Sequence, residues 1–224
     1  MLGREFLKLG FELGCIAHGS PIIVLRIITS PTQFREENHG NLVADTSENS
    51  LWRFSLAVYA NSEVKHACLR LQDECGADVN VILFCCWMGC DGRGRFDADE
   101  LPDVLVMASR WYEKAIGPLR ALRRGLEGNP DPVSADHCKA TRQKVLAAEL
   151  EAERALQALL FESARHHAGR AKSPQHRADD SFANTASYFQ AARIKQDRGV
   201  QQDILTIVRA AIPEDWAPRS NEAP

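Results

Sequence analysis

From Ser50 onward, apolar side chains recur every three to four positions, the period of an α-helix that turns one face inward. Asn49-Ser50 offers a cap, because a short polar side chain can accept the backbone N–H groups that a first helical turn leaves unpaired. Leu51, Trp52, Phe54, Leu56, Val58 and Tyr59 then surround the helix on most sides, which predicts a short buried element. After a second capping pair, Asn61-Ser62, the residues Val64, Ala67, Cys68, Leu71 and Cys75 share a face, and Gly76 ends the run. Asp78 can cap a third helix, Val79 to Met88, in which Asn80 is the only polar side chain. So uniformly apolar a segment belongs at the centre of a core, and it is too short to cross a bilayer.

A loop from Gly89 to Phe96 leads to Asp97-Ala98-Asp99-Glu100, which has the form of a capping box. The helix beyond it carries Val104, Ala108, Trp111, Ala115, Leu119, Leu122 and Leu126 on one stripe, with a bend expected at Gly117-Pro118. Gly128-Asn129-Pro130-Asp131-Pro132 is the clearest break in the chain. Ser134 or Asp136 then opens a long helix to about His167, with a heptad seam of Val145, Ala148, Ala152, Ala155 and Leu159 that would let a partner helix come close. Residues 169–180 read as a polar linker, a sixth helix is expected from Phe182 to Gln196, and Arg198-Gly199 separates it from a last helix that Pro213 ends.

The expected fold is therefore all-α. A compact core of about four helices occupies residues 50–130, and a long helical hairpin arm with two short C-terminal helices follows over 131–213. Residues 1–49 lack periodic apolar spacing and are expected to form a poorly ordered N-terminal extension, and 214–224 a flexible tail. Pro21 to Ile28 is the only β-like run.

Composition agrees with a folded chain: of 224 residues, 45% are hydrophobic and 25% charged. A net charge of -3, from 27 basic and 30 acidic residues, gives no global basic field to draw in nucleic acid or anionic lipid. The 7 cysteines are an odd number, and several fall on apolar helix faces, which fits reduced thiols in the cytoplasm better than a disulfide scaffold. Glu12, His18, Pro21 and Arg26 interrupt the apolar stretches near the N-terminus, so neither a signal peptide nor a membrane span is expected.

Three stretches carry a resemblance: Leu51-Trp52-Arg53-Phe54-Ser55-Leu56-Ala57-Val58-Tyr59, Cys68-Leu69-Arg70-Leu71-Gln72-Asp73 and Gly76-Ala77-Asp78-Val79-Asn80-Val81-Ile82-Leu83-Phe84. Together they resemble a bacterial family of conserved hypothetical proteins classed as a domain of unknown function. The likeness continues more weakly through Pro118 to Arg123 and Ala148 to Arg154, and covers roughly residues 50 to 210. It implies an all-helical fold and no catalytic residue.

The candidate chemistry is sparse. Gly89 to Glu100 has the outline of a calcium loop, with Asp91, Gly94, Phe96, Asp97 and Glu100 in register, but Gly89 and Arg93 occupy ligand positions and Arg95 adds a cation, so a capped connector is the better reading. Cys68, Cys75 and Cys85 read as core side chains. Cys90, beside Arg93 and Arg95, is the candidate reactive thiol, with a lowered pKa expected from those cations. Arg120, Arg123 and Arg124 cluster near a helix end, where they complement the helix dipole or offer a weak nucleic-acid contact. His137, His166 and His167 lack ligand spacing and read as surface residues, and no metal or cofactor is implied. Asn80, a lone amide in an apolar helix, must find hydrogen-bond partners and so fixes packing register or lines a site.

Those features point first to a protein-interaction or regulatory module, with another protein as partner and a homo-oligomer through the Val145–Leu159 seam as a second form of contact. The alternatives are a small enzyme or thiol sensor using Cys90 with the Asp91–Glu100 loop, and weak nucleic-acid binding through Arg120, Arg123 and Arg124.

Overall fold

The computed structural model describes residues 49–97, 99–128, 132–170 and 172–212. Apart from Asn49, the expected N-terminal extension lies outside them, as do the β-like run, Pro213 and the tail. Among the described residues there are eight α-helices, one π-helical turn and no strand. The helices are α1 Ser50–Tyr59, α2 Ser62–Cys75, α3 Val79–Cys90, α4 Glu100–Trp111, α5 Gly117–Gly125, α6 Ala135–Ser163, α7 Pro174–Ala191 and α8 Arg198–Ala211, with the π turn at Tyr112–Ile116. None of them is long and apolar enough to cross a membrane.

The helix starts follow the capping chemistry of the sequence. Asn49 Oδ1 accepts the Trp52 N–H at 2.8 Å, Asn61 Oδ1 accepts the Glu63 N–H at 2.8 Å and Asp78 Oδ1 accepts the Asn80 N–H at 2.9 Å. Gly76 closes α2 at a φ of 69°, where a side chain would be strained. The capping box forms by one arm: Glu100 Oε2 accepts the Asp97 N–H at 2.7 Å, while Asp99 at the cap position makes no side-chain bond. The irregularity expected at Gly117-Pro118 takes the form of the π turn just before it, a widening that accommodates the missing proline N–H.

Every residue from Val79 to Gly89 is buried, so α3 is the axis of the fold. Its main neighbour is α7, followed by α6, α1 and α8, and a single hydrophobic cluster joins residues from Leu51 to Ile212. The core is thus not confined to residues 50–130. The C-terminal helices complete it, because Tyr188, Phe189, Ile204, Ile207 and Val208 are buried in the same cluster.

Two boundaries differ from expectation for the same reason. Helix α7 begins at Pro174, inside the stretch read as a linker: Ser173 Oγ accepts the His176 N–H at 3.3 Å, and the fixed φ of proline suits a first turn. An apolar rhythm is missing there because the face turned to α3 is polar, with Asp180, Ser181, Asn184 and Thr185 buried. Helix α8 likewise starts at Arg198, with Asp197 Oδ1 accepting the Val200 N–H at 3.1 Å, so Arg198-Gly199 is a first turn and not a separator. The chain reverses earlier, after α7 ends, at Arg193 with a φ of 56°.

The α3–α7 contact is close because one residue lacks a side chain. A Cβ on Gly89 would lie 2.3 Å from both the backbone nitrogen and Oγ of Ser181. At this approach Ser181 Oγ donates to the Cys86 carbonyl at 2.9 Å and Asn184 Nδ2 to the Gly94 carbonyl at 2.9 Å, while Asn184 Oδ1 accepts the Phe96 N–H at 3.1 Å. The connection after α3 is fixed to α7 by the polar side chains that obscured the helix in the sequence.

Candidate functional site

Helix α6, the long helix expected to form the arm, packs along α5 of the expected core, and the arginine cluster lies between the two. Arg120 and Arg123 keep 7% and 3% of their surface, and both bond to Glu149, which is fully buried. Arg120 Nε donates to Glu149 Oε1 at 2.9 Å, Arg123 Nε to Glu149 Oε2 at 2.8 Å, and Arg120 Nη2 to Glu153 Oε1 at 2.8 Å. Two guanidiniums thus face two carboxylates in balance. Burial works against the Arg120 charge, but Glu153 and Glu149 outweigh it and hold its pKa above the ordinary guanidinium value. The reading of Arg120, Arg123 and Arg124 as a nucleic-acid contact is corrected here, since two of the three cations are turned away from solvent and already paired.

The buried face of α6 continues this polar line. Gln157 Nε2 donates to Asn80 Oδ1 at 3.0 Å, so Asn80 fixes the register of α3 against α6. Of the seam, Val145 and Ala152 are buried within the chain, whereas Ala148 and Leu159 are exposed. The inward stripe is rotated to Glu149, Glu153, Leu156, Gln157 and Leu160. The second half of α6 packs on α1, α3 and α4, so the arm folds back on its own core.

A second cluster forms where the turn after α6 meets the start of α4. The Nε2 atoms of His166 and His167 lie 2.5 and 3.0 Å from Glu100 Oε1, and the two rings are 4.4 Å apart between centroids. His166 is exposed, but the His167 side chain keeps only 14% of its surface. Partial burial works against the Glu100 charge, yet the hydrogen bonds from His166 and the Asp97 N–H, with His167 beside them, outweigh it and hold the carboxyl below its ordinary range.

The backbone under the histidines is held by one arginine. Arg93 Nη1 donates to the carbonyls of Ala164 and His167 at 3.1 and 2.8 Å, Nε donates to Asp91 at 2.8 Å, and the guanidinium lies 4.5 Å above the Trp87 ring. Arg170 N–H adds a bond to the Gly92 carbonyl at 3.1 Å. The sequence did not reveal this cluster, because Glu100 and the histidines are 66 and 67 residues apart and no spacing rule joins them.

Residues 50–160 match a family model described as a protein of unknown function, DUF2390. The match spans just under half of the chain. No curated protein and no solved structure matches it. The DUF2390 span opens at the first residue of α1 and ends within α6, so it includes the four charged residues of the α5–α6 contact and Glu100, but neither His166 nor His167.

Within that span, Cys90 departs from expectation. Burial pushes its thiol up to about 11, more than hydrogen bonding to Ser181 Oγ at 3.5 Å and the charge of Arg177 can offset. Arg93 and Arg95 do not activate it, since Arg93 holds Asp91 and the two carbonyls while Arg95 Nε donates to Asp180 at 3.0 Å. The reactive-thiol reading of Cys90 is therefore corrected: the side chain is a protonated filler between α3 and α7. The same arginine contacts agree with reading Gly89 to Glu100 as a connector. A cleft between α2 and the start of α8 is lined by charged groups, of which Arg70 is already paired with Asp203.

Proposed function

We propose that this protein is a cytosolic protein-interaction module with an adaptor or regulatory role, and that the outer stripe of α6 is its contact surface. The observation that carries the reading is the division of the arm into a locked inside and an open outside. Arg120 and Arg123 hold Glu149 and Glu153 between α5 and α6, so α6 is presented as a rigid helix. Ala148 and Leu159 remain exposed on its far side, Leu159 at 41%. A rigid helix with small and aliphatic residues on one face suits docking against a helix of another protein. The cytosolic part of the reading is supported by the thiols, since Cys68, Cys75, Cys85, Cys86, Cys90 and Cys138 are all free.

The test is site-specific photo-cross-linking in the native cell, with the reactive side chain placed at Ala148 or Leu159 and, as control, at Glu74 on α2. A discrete adduct from the α6 positions alone is expected. An adduct of twice the chain mass identifies a second copy as the partner, whereas equal labelling from all three positions would refute the surface.

A further inference from the structure

We propose that Glu100, His166 and His167 form a binding site for a divalent ion of the zinc class, which clips the α6–α7 connection onto the start of α4. The inference goes beyond the interaction reading and does not depend on it. One ligand atom from each residue lies within 4.8 Å of the other two, and the two Nε2 atoms approach the same carboxylate oxygen. Two imidazoles and one carboxylate are a donor set that zinc accepts, with a fourth position left to water.

Glu100 Oε1 is the common neighbour of both Nε2 atoms, and the two rings lie side by side, so all three groups converge on one point. A dication takes the lone pairs of all three groups at once. Tetrahedral coordination would place donor atoms about 3.4 Å apart, so the cluster has to open by a few tenths of an ångström to about 1 Å, and the exposed His166 is free to move.

The surroundings hold the other two ligands in place. Asp97 N–H donates to Glu100 Oε2 at 2.7 Å, and His167 Nε2 lies 3.0 and 3.1 Å from Oε1 and Oε2, so the carboxylate is held with its edge toward the histidines. Arg93 holds the His167 carbonyl at 2.8 Å, and the Phe96 ring meets the His167 ring edge-on at 6.4 Å. The exposure of His166 supplies the entry path. Arg165, which precedes His166 in the chain, pairs with Glu162 at 2.9 Å, and Arg93 is bonded to Asp91 and two carbonyls, so both charges are directed to other partners.

The experiment uses the full chain, stripped with chelator, then titrated with Zn²⁺ by calorimetry and with Co²⁺ by visible absorption, alongside thermal melts. One equivalent of Zn²⁺ per chain, a tetrahedral Co²⁺ spectrum and a raised melting temperature are expected. His166→Ala and Glu100→Gln should each weaken binding at least ~10-fold, and His137→Ala should leave it unchanged. His166 is 63% exposed, so its variant keeps the fold even where Glu100→Gln does not. Absence of binding at micromolar Zn²⁺, or binding that survives both substitutions because cysteines hold the ion, would overturn the site.

Discussion

Replacing Glu149 by glutamine removes one charge from a fully buried network while keeping the shape of the side chain. Glu149 takes Arg120 Nε at 2.9 Å and Arg123 Nε at 2.8 Å, so Glu149→Gln leaves two buried guanidiniums facing Glu153 alone. Breaking a buried ion pair by removing one partner costs about 3–5 kcal/mol, a large part of the roughly 5–15 kcal/mol that stabilises a domain. At roughly 2–4 °C per kcal/mol for a chain of this size, the melting temperature should fall by on the order of 10 °C. Urea unfolding followed by circular dichroism gives the free-energy change directly. The complementary variant replaces all four charges, Arg120→Met, Arg123→Met, Glu149→Leu and Glu153→Leu. It should be neutral or more stable than the parent, because a buried charge cluster costs much of what it returns. A Glu149→Gln protein within about 1 kcal/mol of the parent, its helix content unchanged, would refute the claim that these arginines are turned inward.

Gly89→Ala would drive a methyl group into Ser181, at a cost of about 1–3 kcal/mol for overpacking, partly offset by the better helix propensity of alanine. Gly125→Ala, in a helix with open space around the same position, should instead stabilise by about 0.5–1 kcal/mol, so opposite signs in paired urea titrations are expected and equal signs would count against the α3–α7 contact. Raised thiol values predict alkaline sensitivity. Burial lifts Cys90 from 9.0 to about 11 and Cys86 to about 12, so the stability these protonated thiols contribute is complete below pH 9 and lost as pH rises through those values. Alkylation of Cys90 near neutral pH should accordingly be slower in the native than in the unfolded chain, and one hyper-reactive thiol would contradict its environment. A fragment ending at residue 160 lacks α7 and α8 and leaves α3 uncovered, so it should give no cooperative melt, whereas the full chain does; a sharp transition in the fragment would show that α1–α6 suffice.

What the sequence by itself determined was set by short-range chemistry. Asn49, Asn61, Asp78 and Ser134 act within a few residues of themselves, and Gly76 ends α2 because its own backbone turns left-handed there, so the helix boundaries through α3 and the start of α6 could be read without a fold. The unbroken apolar run from Val81 to Met88 fixed the centre of the core in the same way. Tertiary structure decided what each polar side chain met. Arg120 and Arg123 look solvent-facing until Glu149 and Glu153 arrive from another helix, and Cys90 looks activated until Arg93 is found holding carbonyls beyond α6. Ser181, Asn184 and Thr185 hide a buried helix face because hydrogen bonding across α3 replaces the apolar signal. Glu100 meets His166 and His167 only after the chain has folded back over more than sixty residues, a proximity that periodicity cannot encode because it depends on how separate helices pack.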